Sequence, residues 1–487
     1  MRHEAEVVII GAGSAGCVVA GRLAEAGVDV LLLESGPDYG NFGDPRWPQE
    51  LVDARMLANS HDWGYAQNRW VFQRARVIGG CSSHNGAIAA VGHRSDYDNW
   101  NLPGWSAKDV RPLFAEVLKR MRVNTYARDQ AGPFHEKCLQ AAEALGWNMA
   151  EDLCDLDANE SFGLESANID HSVRWNTSFA YLDPIRHLDN FKIMADVTVD
   201  RVSQGDNSVH IFAQQNSENI ELVASQVVLA GGVYGTPALL QRSGIGHPQL
   251  LRELQIPVQV ESKEVGANLH DQPMARADRT VGPELQSWLD EAAATGFLPE
   301  EQTLGKALSS QASDGIFDLH LFPICASDQT SQLHGRVHME VACMTPKSRG
   351  QLSIVSQNAL VAPSIDHAYL SDEEGHDIAV MKDGLKMAEE FLNHPKLANL
   401  LGDSITPTRT NADIRNQVEH YYHPVGTCRM GKDANAVCDA DGRVNGVERL
   451  LIADASLFPT IPRANTNIPT IMIGERIARS LIQSHYS

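Results

Sequence analysis

The sequence predicts an α/β fold in two domains, on three observations: a buried strand that runs into a glycine-rich turn, a chain too long for one core, and a middle stretch patterned unlike the rest. Val7–Ile10 is a short apolar run of the kind a parallel strand buries on both faces, and Ala15–Ala26 follows at helical spacing. Val28–Leu33 is a second apolar run, so the three form a βαβ beginning, with Gly27 as the helix stop. At 487 residues the chain passes the size at which single cores stop growing.

The remaining elements follow in order. From Asp109 to about Leu145 the spacing is helical, with Val110, Leu113, Phe114, Val117 and Leu118 on one face. Phe191–Val199 and Val209–Ala213 read as strands. Gln226–Ala230, an apolar run ending in Gly231 and Gly232, reads as a second visit to the first sheet. Between Pro273 and Gln417 the runs shorten to strands such as Ile316–Phe322 and Val337–Met344, with a helix around Gly375–Leu392. The expected division gives residues 1–155, 190–272 and 418–487 to the first domain, and 156–189 and 273–417 to the second.

Composition narrows the function classes. With 62 acidic against 40 basic residues the net charge is −22, which repels nucleic acid and anionic membranes. No segment has the make-up of a signal peptide or a spanning helix, and the eight cysteines contain no C-x-x-C pair. A soluble cytoplasmic protein is expected, with no metal site.

Gly11-Ala-Gly13-Ser-Ala-Gly16 sits between a strand and a helix, the context in which G-x-G-x-x-G is a dinucleotide fingerprint. The first glycine permits the turn, the second lets backbone approach the pyrophosphate, the third lets helix and strand pack, and the helix N-terminus faces the phosphates. Glu34 ends the second strand, where a carboxylate accepts ribose hydroxyls and disfavours the 2′-phosphate of NADP. Ser14, Ala15 and Ser35 complete this end. The fingerprint does not separate NAD from FAD.

Three further blocks do. Arg76-Val-Ile-Gly79-Gly80-Cys81-Ser82-Ser83-His84-Asn85-Gly86 resembles the first signature of the glucose-methanol-choline (GMC) oxidoreductase family. Gly232-Val-Tyr-Gly-Thr-Pro-Ala-Leu-Leu-Gln-Arg-Ser243-Gly-Ile-Gly246 resembles the second. Tyr422-His423-Pro-Val-Gly-Thr-Cys-Arg-Met-Gly431, then Leu451-Ile-Ala-Asp454 and Asn465-Thr-Asn467, match the family's C-terminal block in order. The resemblance implies an FAD-binding Rossmann-like domain joined to an α+β substrate domain on a mostly antiparallel sheet. It also implies FAD contacts from Arg76, Gly79, Gly80, Ser82, His84, Asn85, Gly86, Val197, Asp454, Ala455 and Asn467.

Oxidising an alcohol requires a base for the hydroxyl proton beside the hydride-accepting ring. His423 matches the family's active-site histidine, and a neutral imidazole suits the task. Its partner is Asn465 or Asn467; counting back from the C-terminal helix favours Asn465, which leaves Asn467 to the cofactor. His84 replaces the usual Ile or Leu, and the Gly-Gly-Cys-Ser-Ser-His-Asn string resembles the choline-oxidising members, in which this histidine is joined covalently to FAD. A covalent link at His84 is one of two expectations, packing beside the flavin the other.

The expected substrate is a small primary alcohol or a sugar or glycoside hydroxyl. Choline would need an aromatic and carboxylate cage; Trp288, Phe297 and several acids lie in the middle region, but without a motif that assembles them. Oxygen is the expected acceptor, giving hydrogen peroxide. The alternatives are a dehydrogenase using a quinone or other carrier, a hydroxynitrile lyase, and a non-catalytic flavoprotein. The oligomeric state is not legible.

Overall fold

A computed structural model describes residues 3–56, 58–295, 300–325, 335–406 and 410–485; Phe297 lies outside them. The strand His3–Ile10 is flanked in parallel by Val30–Leu33 and by Glu218–Leu229, with Phe191–Met194 beyond Val30–Leu33. The branchless apolar runs explain the arrangement, since Val30–Leu33 is buried along its whole length. Glu218–Leu229 serves two neighbours on its other side. Its residues 227–229 pair in parallel with Leu450–Ile452, and its first half pairs antiparallel with Val209–Gln215, which in turn pairs with Val197–Gln204.

The run expected as one strand over Phe191–Val199 is therefore two. Asp196, at φ +56°, breaks it, and the halves go to opposite ends of the strand order. The last helix, Asn467–His485, packs on the first, Ser14–Glu25. There Glu475, fully buried, receives Arg22 at 2.8 Å and the Tyr181 hydroxyl at 2.9 Å.

The helical stretch expected from Asp109 to Leu145 is also divided, into Ala107–Arg120 and Pro133–Ala144. Arg122 at φ +53° ends one, and Pro133 at a first-turn position starts the other. The two serve different cores. Val110, Leu113, Phe114 and Val117 join the first, whereas Phe134, Cys138, Leu139 and Ala142 join the second. Against the expected boundaries, then, residues 133–144 pack with the second domain, and Trp175, Phe179, Tyr181 and Ile185 pack with the first.

The second sheet has the order Leu401–Ser404, Pro273–Val281, Arg336–Cys343, Leu319–Cys325, Thr303–Ala307, Ser161–Leu164, Met149–Ala150, antiparallel except for its last pair. The strand expected at Ile316 begins at Leu319, because Phe317 turns aside to stack on His320. Ala275, Ala277, Leu319, Leu321, Met339 and Val341 face the helices, among them His376–Leu392. The alternate residues face the first domain.

Register sorts that second face into rows: Met274, Ala342, His320, Lys306 and Ser161; then Arg276, Glu340 and Phe322; then Asp278, His338, Ile324 and Glu301. A buried face this rich in ionisable groups is built for something other than packing.

Candidate active site

The two glycine-rich loops of the first domain form one seam. Gly11, at φ +105°, has Ala230 O where a Cβ would stand, 2.4 Å away. Gly80, at φ +53°, meets Gly13: a Cβ there would lie 2.6 Å from Gly13 Cα, and Gly79 N donates to Ala12 O at 2.7 Å. A Cβ on Gly13 would meet only Gly80 Cα, at 3.9 Å, and would otherwise enter open space. Ser14 begins the helix, and its hydroxyl donates to Asn467 Oδ1 at 2.7 Å. The amide nitrogen of Asn467 is buried with no partner. A diphosphate fits this corner: it would accept from that orphaned donor and from the helix N-terminus.

Glu34 is buried, and its carboxylate accepts Ala12 N at 2.9 Å and Gly36 N at 2.8 Å. Burial outweighs these bonds and pushes it up to about 7. Val197 N donates to Glu34 O, the Ser35 hydroxyl to Val197 O, and Arg76 Nε to Ser35 O. These residues thus share one wall.

In the signature loop the Ser82 hydroxyl donates to Gly79 O at 2.6 Å and meets Thr177. Asn85 Oδ1 accepts Ala87 N, and its carbonyl accepts Arg174. His84 closes the short turn Gly80–Ser83 beside Cys81. Burial works against the Cys81 thiolate, yet His84 and Arg74 outweigh it and bring the thiol down to about 6. Asp454 joins separate blocks: it accepts Gly232 N at 2.9 Å, the Thr236 hydroxyl at 2.5 Å and Ser456 N at 2.8 Å. Ala455 O accepts Gly426 N. Gly86 lies against the second sheet, where its Cβ would be 3.3 Å from Glu301 Oε2.

At the other end stands His423. Its backbone N donates to Asp271 Oδ1 at 2.9 Å, and its Nδ1 lies 2.7 Å from Gln272 Oε1. Gln272 is fully buried and its Nε2 donates to Pro462 O and Ala464 O, at 3.1 and 3.4 Å. With its nitrogen committed to two carbonyls, the amide turns its oxygen to the imidazole. Nδ1 of His423 therefore carries the proton, and Nε2 keeps its lone pair.

Burial first, then the charges of Arg74 and His420, push His423 down to about 3. Asp271, buried and bonded by the Tyr369 hydroxyl, is raised by burial to about 6. Asn465 directly follows the carbonyls that hold Gln272, whereas Asn467 sits at the dinucleotide turn. The two asparagines serve different ends.

Gln272, Asp271, Arg74 and the acids of the second sheet were not singled out in the sequence; they belong to no contiguous block, and only register and long-range bonds assemble them. Trp288 turns away, against Gly132 in the helical layer. Among the described residues no helix is long and apolar enough to cross a membrane.

Comparison with known proteins gives concordant matches. Family models described as GMC oxidoreductase match residues 5–274 and 346–474. The oxygen-dependent choline dehydrogenase of Chromohalobacter salexigens is 31% identical, over 98% of this chain and 94% of its own. The mitochondrial choline dehydrogenase of Mus musculus is 31% identical over 99% and 90%. Pyridoxine 4-oxidase from Mesorbium loti superposes with a TM-score of 0.86 at 23% identity over 99% of each chain. The Aspergillus oryzae RIB40 formate oxidase, studied for FAD modification, does so at 0.86 and 21%, again over 99% of each.

Proposed function

From the premise that the chain belongs to the GMC oxidoreductase family, whose members are FAD-dependent, we propose that it oxidises a small primary alcohol, or a sugar or glycoside hydroxyl, with His423 as the base and oxygen as the acceptor. FAD, when bound, supplies the hydride acceptor. The observation that carries the reading is Gln272, whose fixed amide leaves His423 Nε2 unprotonated.

That nitrogen takes the hydroxyl proton as the alcohol's carbon-bound hydrogen leaves with its electron pair. Asn465, at the end of the loop gripped by Gln272, donates to the substrate oxygen and so orients it without competing for the proton. Burial excludes water from the imidazole, and Arg74 keeps it neutral until substrate arrives. Gly11, Gly13, Gly16 and Glu34 hold the adenine end of the cofactor; Gly79, Gly80, Ser82, Asn85 and Gly86 hold the flavin end, and Asn467 the diphosphate. A covalent bond from His84 to FAD accords with its place at the end of the Gly80–Ser83 turn.

Oxygen as acceptor is supported by the oxygen-dependent bacterial relative, whereas the mouse relative is named a dehydrogenase without reference to oxygen. An aerobic peroxide screen over choline, pyridoxine, aryl alcohols, sugars and glycosides, paired with anaerobic flavin bleaching, tests both. Bleaching with peroxide identifies an oxidase, bleaching without it a dehydrogenase, and no bleaching by any alcohol overturns the reading. Acid precipitation tests the covalent link: yellow colour in the supernatant excludes it.

A further inference from the structure

The domain-facing side of the second sheet ends in a buried carboxylate that the protein leaves without a partner. Glu340 is satisfied, because Arg276 reaches it at 2.9 Å and also pairs with Glu419. Glu165 is not. It is 2% exposed, and neither of its carboxylate oxygens has a hydrogen-bond partner; the Tyr126 hydroxyl is buried in the same condition. Tyr126 N donates to Glu165 O, so the two are held together. Glu301 is the charge that bears on Glu165, and among the described residues neither acid forms an ion pair.

Burial and then the charge of Glu301 push Glu165 well above the carboxylate range, while burial and then Glu340 and Glu300 raise Glu301 to about 8. A buried carboxylate in this condition is costly as a charge unless a proton or a cation joins it.

Their place in the fold says what that is. Glu301 bridges Ile324 on the site face and abuts Gly86 of the cofactor loop, and Glu165 N donates to Gln302 O beside it. Tyr421 links this corner to the base, its ring 4.7 Å from that of His423 in an edge-to-face pair. Glu340, Glu165 and Glu301 all act on the Tyr421 hydroxyl. Tyr421 thus stands between His423 and this corner.

We propose that Glu165 and Glu301 seat a protonated amine of the substrate, which makes the substrate class a short amino alcohol whose nitrogen bears hydrogens. The inference rests on alcohol oxidation at His423 and adds what lies at the substrate's other end. The unpartnered atoms are acceptors on Glu165 and a hydroxyl on Tyr126, so a cation with N–H groups satisfies them. A quaternary ammonium would bring charge but no donor, leaving both Glu165 oxygens unbonded.

The test titrates the flavin absorbance of the holoenzyme with ethylammonium, tetramethylammonium and neutral acetamide, none of which carries an oxidisable hydroxyl. Ethylammonium is expected to bind on the order of tenfold or more tighter than either of the others. Glu165→Gln and Glu301→Gln are expected to weaken it about tenfold, and Tyr126→Phe less, at unchanged flavin content and melting temperature. Equal binding of acetamide, tighter binding of tetramethylammonium, or unaltered affinity in folded Glu165→Gln overturns the seat; the last means that the two acids share a proton instead.

Anaerobic bleaching by 3-aminopropan-1-ol and by propane-1,3-diol separates the two claims. If the amine is seated but no alcohol bleaches the flavin, alcohol oxidation fails and the seat stands. If both bleach it equally and ethylammonium does not bind, the seat fails and the oxidation stands.

Discussion

Replacing His423 with Ala removes the proposed base for the hydroxyl proton, and kcat/KM is expected to fall by roughly 10²-fold or more, measured by anaerobic flavin reduction with unchanged flavin content. Gln272 offers a sharper test, because its effect passes through the imidazole. Gln272→Glu puts a carboxylate beside Nδ1 and raises the His423 pKa from about 3. Since the neutral imidazole is the active form, the acid limb of the kcat/KM profile should move to higher pH; an unmoved limb means that Gln272 does not touch the base. His423 was legible because it lies in a contiguous block, and the glycines because backbone geometry is a local property. Gln272, Glu165 and Glu301 were not, since each is an ordinary polar residue until sheet register and buried surroundings give it neighbours.

Between elements, the seam of the two glycine loops and the clasp of the two terminal helices make separate predictions. Gly80→Ala places a Cβ 2.6 Å from Gly13 Cα at a positive φ, so the loops must part and the purified variant should carry less flavin per chain. Arg22→Ala takes the nearer of two guanidiniums from the buried Glu475, leaving Arg479 at 3.8 Å, and is expected to cost about 3 kcal/mol, read as a lower denaturation midpoint. The βαβ start was readable because its apolar runs and glycine turn are consecutive. The divided helix at 121–132 was not: apolar spacing continues across the break, and the signals that win are a left-handed Arg122 and a first-turn Pro133.

For the molecule as a whole, buried ionisable groups set a pH window. His135, His270, His420 and His423 are held by burial at about 4, 3, 4 and 3 against an ordinary 6.5. The unfolded chain takes protons there that the fold refuses, so their stability is present above pH 6.5 and lost as pH falls toward 3–4. Glu34, Asp271 and Glu301 are raised to about 7, 6 and 8, and the sign reverses: their stability is full below the ordinary 3.8–4.5 and lost as pH rises through 6–8. The flavin-free protein should therefore melt highest between about pH 4.5 and 6.5; a melting temperature still climbing from 6.5 to 8 would contradict this balance. Length and patterning suggested two domains, but not that 133–144 packs in the second core and 175–185 in the first, because neither segment's apolar face names its partner.

Leu450–Ile452 completes the sheet that His3–Ile10 begins, and Asn467 reaches back to Ser14. On a ribosome the fingerprint emerges well before the residues that finish its pocket, by on the order of tens of seconds of synthesis. Until then the 227–229 end of Glu218–Leu229 waits with one edge unpaired, a short template for wrong partners. Flavin capture thus waits until residues 450–467 have emerged, and yield in the cell should depend on chaperone protection during that wait.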